Sequence, residues 1–135
     1  SNSSSRIFMF ETSDRRLLTP RVACAVESAA LRHPTEIVTV LVATSILQLS
    51  PTTRQLLLLP NVRLLYLDLE QFFNQSLLKT WYFSADRVAS PYAVSHLSDA
   101  LRFSVLYTFG GTYLDTDVVV LRSLSTLTNA LGLEK

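Results

Sequence analysis

The chain lacks most of what marks a stapled, strongly charged or membrane-spanning protein. Only one of its 135 residues is cysteine, Cys24, so no internal disulfide can form. Cys24 lies in an apolar helical pattern, which predicts a buried thiol rather than a reactive one. The net charge is only +1 and no basic stripe is visible, so the electrostatic footprint of a nucleic-acid-binding protein is missing. No stretch approaches the roughly 18 apolar residues of a membrane span, and nothing resembles a signal peptide. Repeats, low-complexity core segments and internal linkers are absent. The only two histidines, His33 and His96, fall near predicted helix ends. Both are expected at the surface or as helix-end partners.

What remains is ample material for a core. Apolar residues make up 48% and charged residues 17%, a balance that argues against disorder. The length suits one domain or part of a larger one. Residues 1–5 read as a polar, disordered tail, leaving 6–135 as the folded unit. Two glycosylation triplets, Asn2-Ser3-Ser4 and Asn74-Gln75-Ser76, lean weakly toward the secretory pathway.

The apolar run 6–10 reads as a first strand, ending in the polar turn Glu11-Thr12-Ser13-Asp14-Arg15-Arg16. Thr19-Pro20 has the form of an N-cap followed by proline at the first helical position. Val22, Val26, Ala29 and Ala30 then recur at helical spacing to about His33, where Pro34 ends the helix. The β-branched run 37–43 shows no polar alternation, the pattern of a strand buried on both faces. Strand, helix, strand in this order predicts a right-handed βαβ unit and a parallel sheet. A short helix over 52–59 follows, with Ser50 as cap and Pro51 at its first position. A third strand over 62–67 and a helix from the cap Asp68 through Phe73 continue the pattern.

Residues 77–92 carry Trp81, Tyr82, Phe83 and Tyr92 and read as a loop or broken helix over the sheet, because Pro91 forbids a straight helix. The aromatics there are expected to be core packing rather than a sugar platform. Ser95 or Ser98 can cap a helix to Phe109 that is apolar nearly all round and therefore expected to be buried. Gly110 is expected to be its left-handed cap. A strand over 113–121 follows, then a last short helix opened by Ser123 or Ser125 and ended by Gly132.

Chemistry concentrates in Gly110-Gly111-Thr112-Tyr113-Leu114-Asp115-Thr116-Asp117. On a strand, Asp115 and Asp117 point to one face. Two carboxylates aimed at one spot repel unless a cation lies between them. Hard divalent cations such as Mg2+ are held by one or two carboxylates plus substrate phosphates, so the pair predicts a metal–diphosphate site. A pair of solvated turn residues is the alternative, disfavoured by the apolar neighbours on either side. Asp99 and Arg102 share a helix face at i, i+3. A plain ion pair there contributes a few tenths of a kcal/mol, but an arginine near a diphosphate binds it bidentately. Thr12, Ser13 and Asp14 follow the first strand, where open parallel sheets bind ligands; a plain polar turn is the alternative.

Leu97-Ser98-Asp99-Ala100-x-Arg102 followed by Gly110-Gly111-x-Tyr113-Leu114-Asp115-Thr116-Asp117 resembles the D-x-D glycosyltransferases. Within them it is most similar to the α1,4-galactosyltransferase (globotriaosylceramide synthase) and α1,4-N-acetylglucosaminyltransferase family. Glu11-Thr12-Ser13-Asp14-Arg15, Pro60-Asn61-Val62 and Leu127-x-Asn129-x-Leu131-Gly132 support the match. The resemblance implies an α/β GT-A fold, Rossmann-like, with a mainly parallel sheet, helices on both faces and an incomplete C-terminal part. It implies a UDP-linked donor, UDP-galactose foremost, and Mn2+ (or Mg2+) bridging the diphosphate. Asp117 would ligate the metal directly, and Asp115 would contact ribose, sugar or the metal through water. Asp99 and Arg102 would bind the donor sugar and diphosphate, and Tyr113 and Thr12 would lie against the nucleotide. The family consists of retaining enzymes of the Golgi lumen, anchored by an N-terminal membrane helix and acting on glycolipid or glycan acceptors. Charge developing on the leaving UDP is then neutralised by the metal, with oxocarbenium character at the anomeric carbon and no enzymatic nucleophile in view.

Since the family's domain continues past the D-x-D strand, this chain is expected to be a donor-side part without turnover of its own. Two other readings compete. One is a lectin-like or inactive nucleotide-sugar-binding module. The other is a haloacid-dehalogenase-type phosphatase, which uses a similar Asp-x-Asp-x-Val strand but needs downstream lysine and acidic residues.

Overall fold

A computed structural model describes residues 6–13 and 15–133; the tail expected at 1–5, and Asp14, lie outside them. Four strands, β1 (Arg6–Glu11), β2 (Ile37–Val42), β3 (Val62–Tyr66) and β4 (Thr112–Tyr113), form a wholly parallel sheet in the order β3-β2-β1-β4. Six helices among the described residues surround it: α1 (Pro20–Arg32), α2 (Pro51–Leu57), α3 (Leu69–Asn74), α4 (Lys79–Tyr82), α5 (Ala85–Ala89) and α6 (Ala93–Phe109). No helix among the described residues is long and apolar enough to cross a membrane.

The period-two alternation of β1 sorts two cores. Ile7 and Met9 join Val38, Val40 and Val42 beneath Val22 and Val26 of α1 and Leu56 of α2. Phe8, Phe10 and Leu41 point the other way, onto Phe73, Tyr82, Leu101 and Val105 of α3, α4 and α6. Helices thus cover both faces, as expected, and this double burial is why β2 reads as an unbroken apolar run. Each fully buried side chain of this size contributes roughly 1.5–3 kcal/mol.

Three of the expected caps form. Thr19 Oγ1 accepts from the Val22 amide, Ser50 Oγ from Thr53 and Asp68 Oδ1 from Gln71, each at 3.2 Å. Proline stands at the first turn of α1 and α2. Residues 77–92 are the broken helix foreseen, split into α4 and α5. Tyr82 stacks on Phe73 at 4.5 Å with the Arg87 guanidinium 4.2 Å from its ring centre, and Trp81 packs beside them. Tyr82 and Trp81 are core packing as expected, whereas Phe83 and Tyr92 are exposed. Asn61 makes an unforeseen corner: its amide nitrogen lies 3.0, 2.9 and 3.1 Å from the carbonyls of Ala30, His33 and Glu36.

Several expectations are corrected. The strand foreseen over 113–121 ends at Tyr113. After Leu114 donates to the Phe8 carbonyl at 3.0 Å, the chain turns at Thr116-Asp117. The valines beyond it cross to the α1 layer, where Val120 is buried and its amide donates to Ser28 Oγ at 2.9 Å. No helix opens at Ser123 or Ser125; these serines make local turns instead. α6 begins at Ala93, with no side-chain cap. It buries Leu101 and Val105 but leaves Phe103 and Tyr107 71% and 78% exposed, since one sheet face can cover only one stripe of a helix.

Gly110 closes α6 through a 2.8 Å bond to the Leu106 carbonyl. Its φ of 69° comes with ψ of −163°, an extended conformation open essentially to glycine and distinct from the left-handed helical cap. Cys24 is exposed, because the helical phase places it with Arg21, Glu27 and Leu31 on the outer side of α1. His33 is a helix-end partner, the second of its two expected roles, and is buried rather than at the surface. Its Nδ1 meets the Ala29 carbonyl at 2.8 Å and its Nε2 accepts from the Leu124 amide at 2.9 Å. His96 is exposed beside the Tyr92 ring.

Candidate functional site

In the order β3-β2-β1-β4 the chain winds one way from β1 to β3 and the other way to β4. The reversal lies between β1 and β4, and in open α/β sheets ligands bind outside the carboxyl ends of the strands at that point. An open cleft of about 460 Å³ lies there. The end of β1 and its loop supply Phe10, Glu11, Thr12 and Ser13; α6 supplies Val94 and Ser98; the chain after the glycine pair supplies Tyr113, Asp115, Thr116 and Asp117.

The glycines deliver this last group. A Cβ on Gly111 would stand 2.6 Å from the Arg6 carbonyl oxygen, at a φ of +94°, so only glycine lets the chain pass β1 this closely. Pairing of Ile7 with Thr112 and Phe8 with Tyr113 follows at once. Tyr113 is thereby packed against Phe10, ring centres 4.9 Å apart. Its hydroxyl donates to Asp115 Oδ1 at 2.6 Å, a short bond of the charge-assisted kind. Burial, and then that bond, push the Tyr113 hydroxyl up to about 12.

Arg102 reaches the same group from α6. Its guanidinium carbon lies 4.6 Å from the Tyr113 ring centre, and Nη2 lies 3.5 Å from Asp115 Oδ1 and 3.9 Å from Asp99 Oδ1. Its Nε is buried without a hydrogen-bond partner. Asp99 is more exposed, 55% against 36% for the Arg102 side chain. Neither lines the cleft.

Of the predicted site residues, the structure therefore brings Thr12, Tyr113, Asp115 and Asp117 together at one cleft, with Arg102 touching Tyr113 and Asp115 from the side and Asp99 outermost. Asp115 and Asp117 converge through a turn, not through the two-residue period of a strand. Glu11 and Val94 were not foreseen. Glu11 Oε1 accepts from both the amide and the hydroxyl of Ser13 and so shapes the loop after β1. Its place as the last residue of β1 was the available signal. Val94 shares a helix side with Ser98 at i, i+4, a phase that the expected start at Ser95 concealed.

The donor set fits one hard divalent cation. Asp115 and Asp117 border the same cleft, while no group of three or more His, Cys, Asp or Glu side chains suited to a metal occurs among the described residues. Two carboxylates at one cleft suit a metal whose shell is completed by substrate phosphates.

Comparison with known proteins agrees with this geometry. The family model described as "Glycosyltransferase sugar-binding region containing DXD motif" matches residues 19–134. Lactosylceramide 4-alpha-galactosyltransferase of Rattus norvegicus is 41% identical over 133 residues, covering 95% of this chain and 37% of that protein. Alpha-1,4-N-acetylglucosaminyltransferase of Homo sapiens is 30% identical over 126 residues, covering 87% of this chain and 37% of that protein. Among solved structures, PaToxG glycosyltransferase superposes with a TM-score of 0.62 at 17% identity, over 89% of this chain and 44% of that one, a likeness of fold. The chain thus spans a little over a third of the curated relatives it matches, and it belongs to the glycosyltransferase family whose sugar-binding region contains the DXD motif.

Proposed function

We propose that this chain forms the donor site of a hexosyltransferase that binds a UDP-sugar, UDP-galactose foremost, for retaining α1,4-transfer to a glycolipid or glycan acceptor in the Golgi lumen. The observation that carries the reading is the Asp115–Asp117 pair at the cleft between the carboxyl ends of β1 and β4. Asp117 and Asp115 would hold Mn2+ (or Mg2+), and once bound that ion neutralises charge on the leaving diphosphate. The remaining work belongs to the protein's own groups. The Thr12 and Ser13 hydroxyls at the end of β1 present hydrogen-bonding groups to the nucleotide. Ser98 and Val94 of α6 bound the opposite side. Asp99, at the outer edge, would accept hydrogen bonds from sugar hydroxyls, and Arg102 touches Asp115 from the side. Holding the donor in one pose is the main contribution such a site makes to the rate.

Calorimetric titration of the chain with UDP, with and without Mn2+, tests the reading. Binding is expected to need Mn2+ and to weaken at least tenfold in Asp117→Asn. Metal-independent binding of free sugar would instead establish the lectin-like alternative.

A further inference from the structure

We infer that Tyr113 and Arg102 are positioning residues that act on the donor through Asp115, rather than nucleotide- or diphosphate-binding residues in their own right; the inference rests on the donor-site reading above. Arg102 does not line the cleft. Its guanidinium lies against the Tyr113 ring at 4.6 Å and its Nη2 reaches Asp115 Oδ1 at 3.5 Å, while its unpaired donor Nε is buried. Tyr113 borders the cleft, but its one proton is given to Asp115 Oδ1 at 2.6 Å, and its ring is held between Arg102 and Phe10. Two donors therefore converge on a single oxygen of Asp115, and no donor among the described residues reaches Oδ2.

This arrangement has a physical purpose. Asp115 sits where regular strand pairing has ended, one residue before the turn, with no sheet register to fix its side chain. A free carboxylate there samples several rotamers. Pinning Oδ1 from the protein side selects one of them and leaves Oδ2 as the oxygen offered to a ligand. The two donors also place positive partial charge beside that oxygen, which offsets part of the repulsion between Asp115 and Asp117. The stacked pair Arg102–Tyr113 thus does for Asp115 what a second strand would do for a residue inside a sheet.

A double-mutant cycle distinguishes action through Asp115 from direct contact with the nucleotide. Tyr113→Phe keeps the ring and removes only the hydroxyl. In the otherwise native chain it is expected to weaken Mn2+-dependent UDP binding by roughly tenfold, the effect of losing a hydrogen bond to a charged group. In an Asp115→Ala background the same change is expected to have no further effect. An undiminished loss in that background overturns the inference while leaving the donor-site reading intact. Arg102→Lys keeps the charge but loses the planar stack, and it should behave like Tyr113→Phe in both backgrounds. A crystal structure of ligand-free Tyr113→Phe supplies a readout independent of UDP. The Asp115 carboxylate should spread over more than one rotamer, and a carboxylate that keeps its place overturns the inference even if the native chain binds no UDP.

Discussion

Asn61 offers the sharpest test of how the scaffold is held. Its side-chain amide faces three carbonyl oxygens, of Ala30, His33 and Glu36, tying the end of α1 and the start of β2 to the start of β3. Two amide hydrogens serve three acceptors, so at most two full bonds exist at a time. The Ala30 and His33 carbonyls also keep backbone donors, from His33 at 3.3 Å and Glu36 at 3.0 Å. With about 0.5–1.5 kcal/mol per net bond, Asn61→Ala should cost about 2 kcal/mol. Asn61→Asp keeps the shape but presents a carboxylate to three carbonyls, and should cost about 3 kcal/mol or more at neutral pH. For a chain of this size the two changes correspond to about 7 °C and at least 10 °C of melting temperature. Urea unfolding of the three proteins at neutral pH measures the differences. Repeating it near pH 3.5 adds a check of sign. A carboxyl in this setting is driven toward its neutral form, so its pKa rises above the ordinary ~3.9. The penalty is then smallest below that value and grows as pH rises. An Asp variant as stable as the Ala variant at neutral pH, or an Ala variant within about 0.5 kcal/mol of the native chain, would refute this account.

Other consequences follow from single residues. Gly111→Ala should cost more than about 2 kcal/mol, because its Cβ must displace a strand's backbone oxygen 2.6 Å away at a φ of +94°; Gly132→Ala, with nothing within 4 Å, serves as the neutral control in a thermal melt. Tyr113 should be a late-titrating tyrosine in an ultraviolet difference titration, ionising near about 12. Raised above its ordinary value of 10.0, it favours the neutral phenol, so its contribution to stability is full below pH ~10 and is lost as pH rises toward ~12. Tyr113→Phe should remove that late step from the titration. Cys24 should react with a thiol reagent in the native state without denaturant, and Cys24→Ser should change stability by less than about 0.5 kcal/mol; a thiol that reacts only after unfolding would contradict its exposure.

The parts of the fold readable in the sequence are those where local chemistry and tertiary packing agree. Thr19-Pro20 and Ser50-Pro51 specify helix starts by themselves, and the alternation-free run at 37–43 announces a doubly covered strand. Asp115 and Asp117 stood out because acids beside a β-branched run need a reason. Yet that same run, Val118-Val119-Val120, led to a strand that does not form. Valine's preference is for a packed, extended environment, and the underside of α1 supplies one as well as a sheet does. The exposure of Phe103 and Tyr107 was equally hidden, since an apolar helix face signals a partner without saying whether one is present. The long-range partners of His33 and Asn61 could not be read, because they lie 25 to 91 residues away in the chain. The positioning role of Arg102 depends on its stacking on a ring that follows it by eleven positions, which no spacing rule connects.

The acidic turn is held at both ends. On one side Leu114 is tied to Phe8, while beyond the turn Val120, Leu124 and Ser125 are tied to Ser28, His33 and Glu36. Those three later ties span 92, 91 and 89 residues. Each closes about two thirds of the 135-residue chain into a loop, and the entropy of that closure must be met before the contact returns anything. The turn that carries the acids is accordingly expected to be completed late in folding, after α1 has docked. Damage to the outer end of α1 therefore reaches the turn through the chain's own connectivity, although no atom of that helix end borders the cleft.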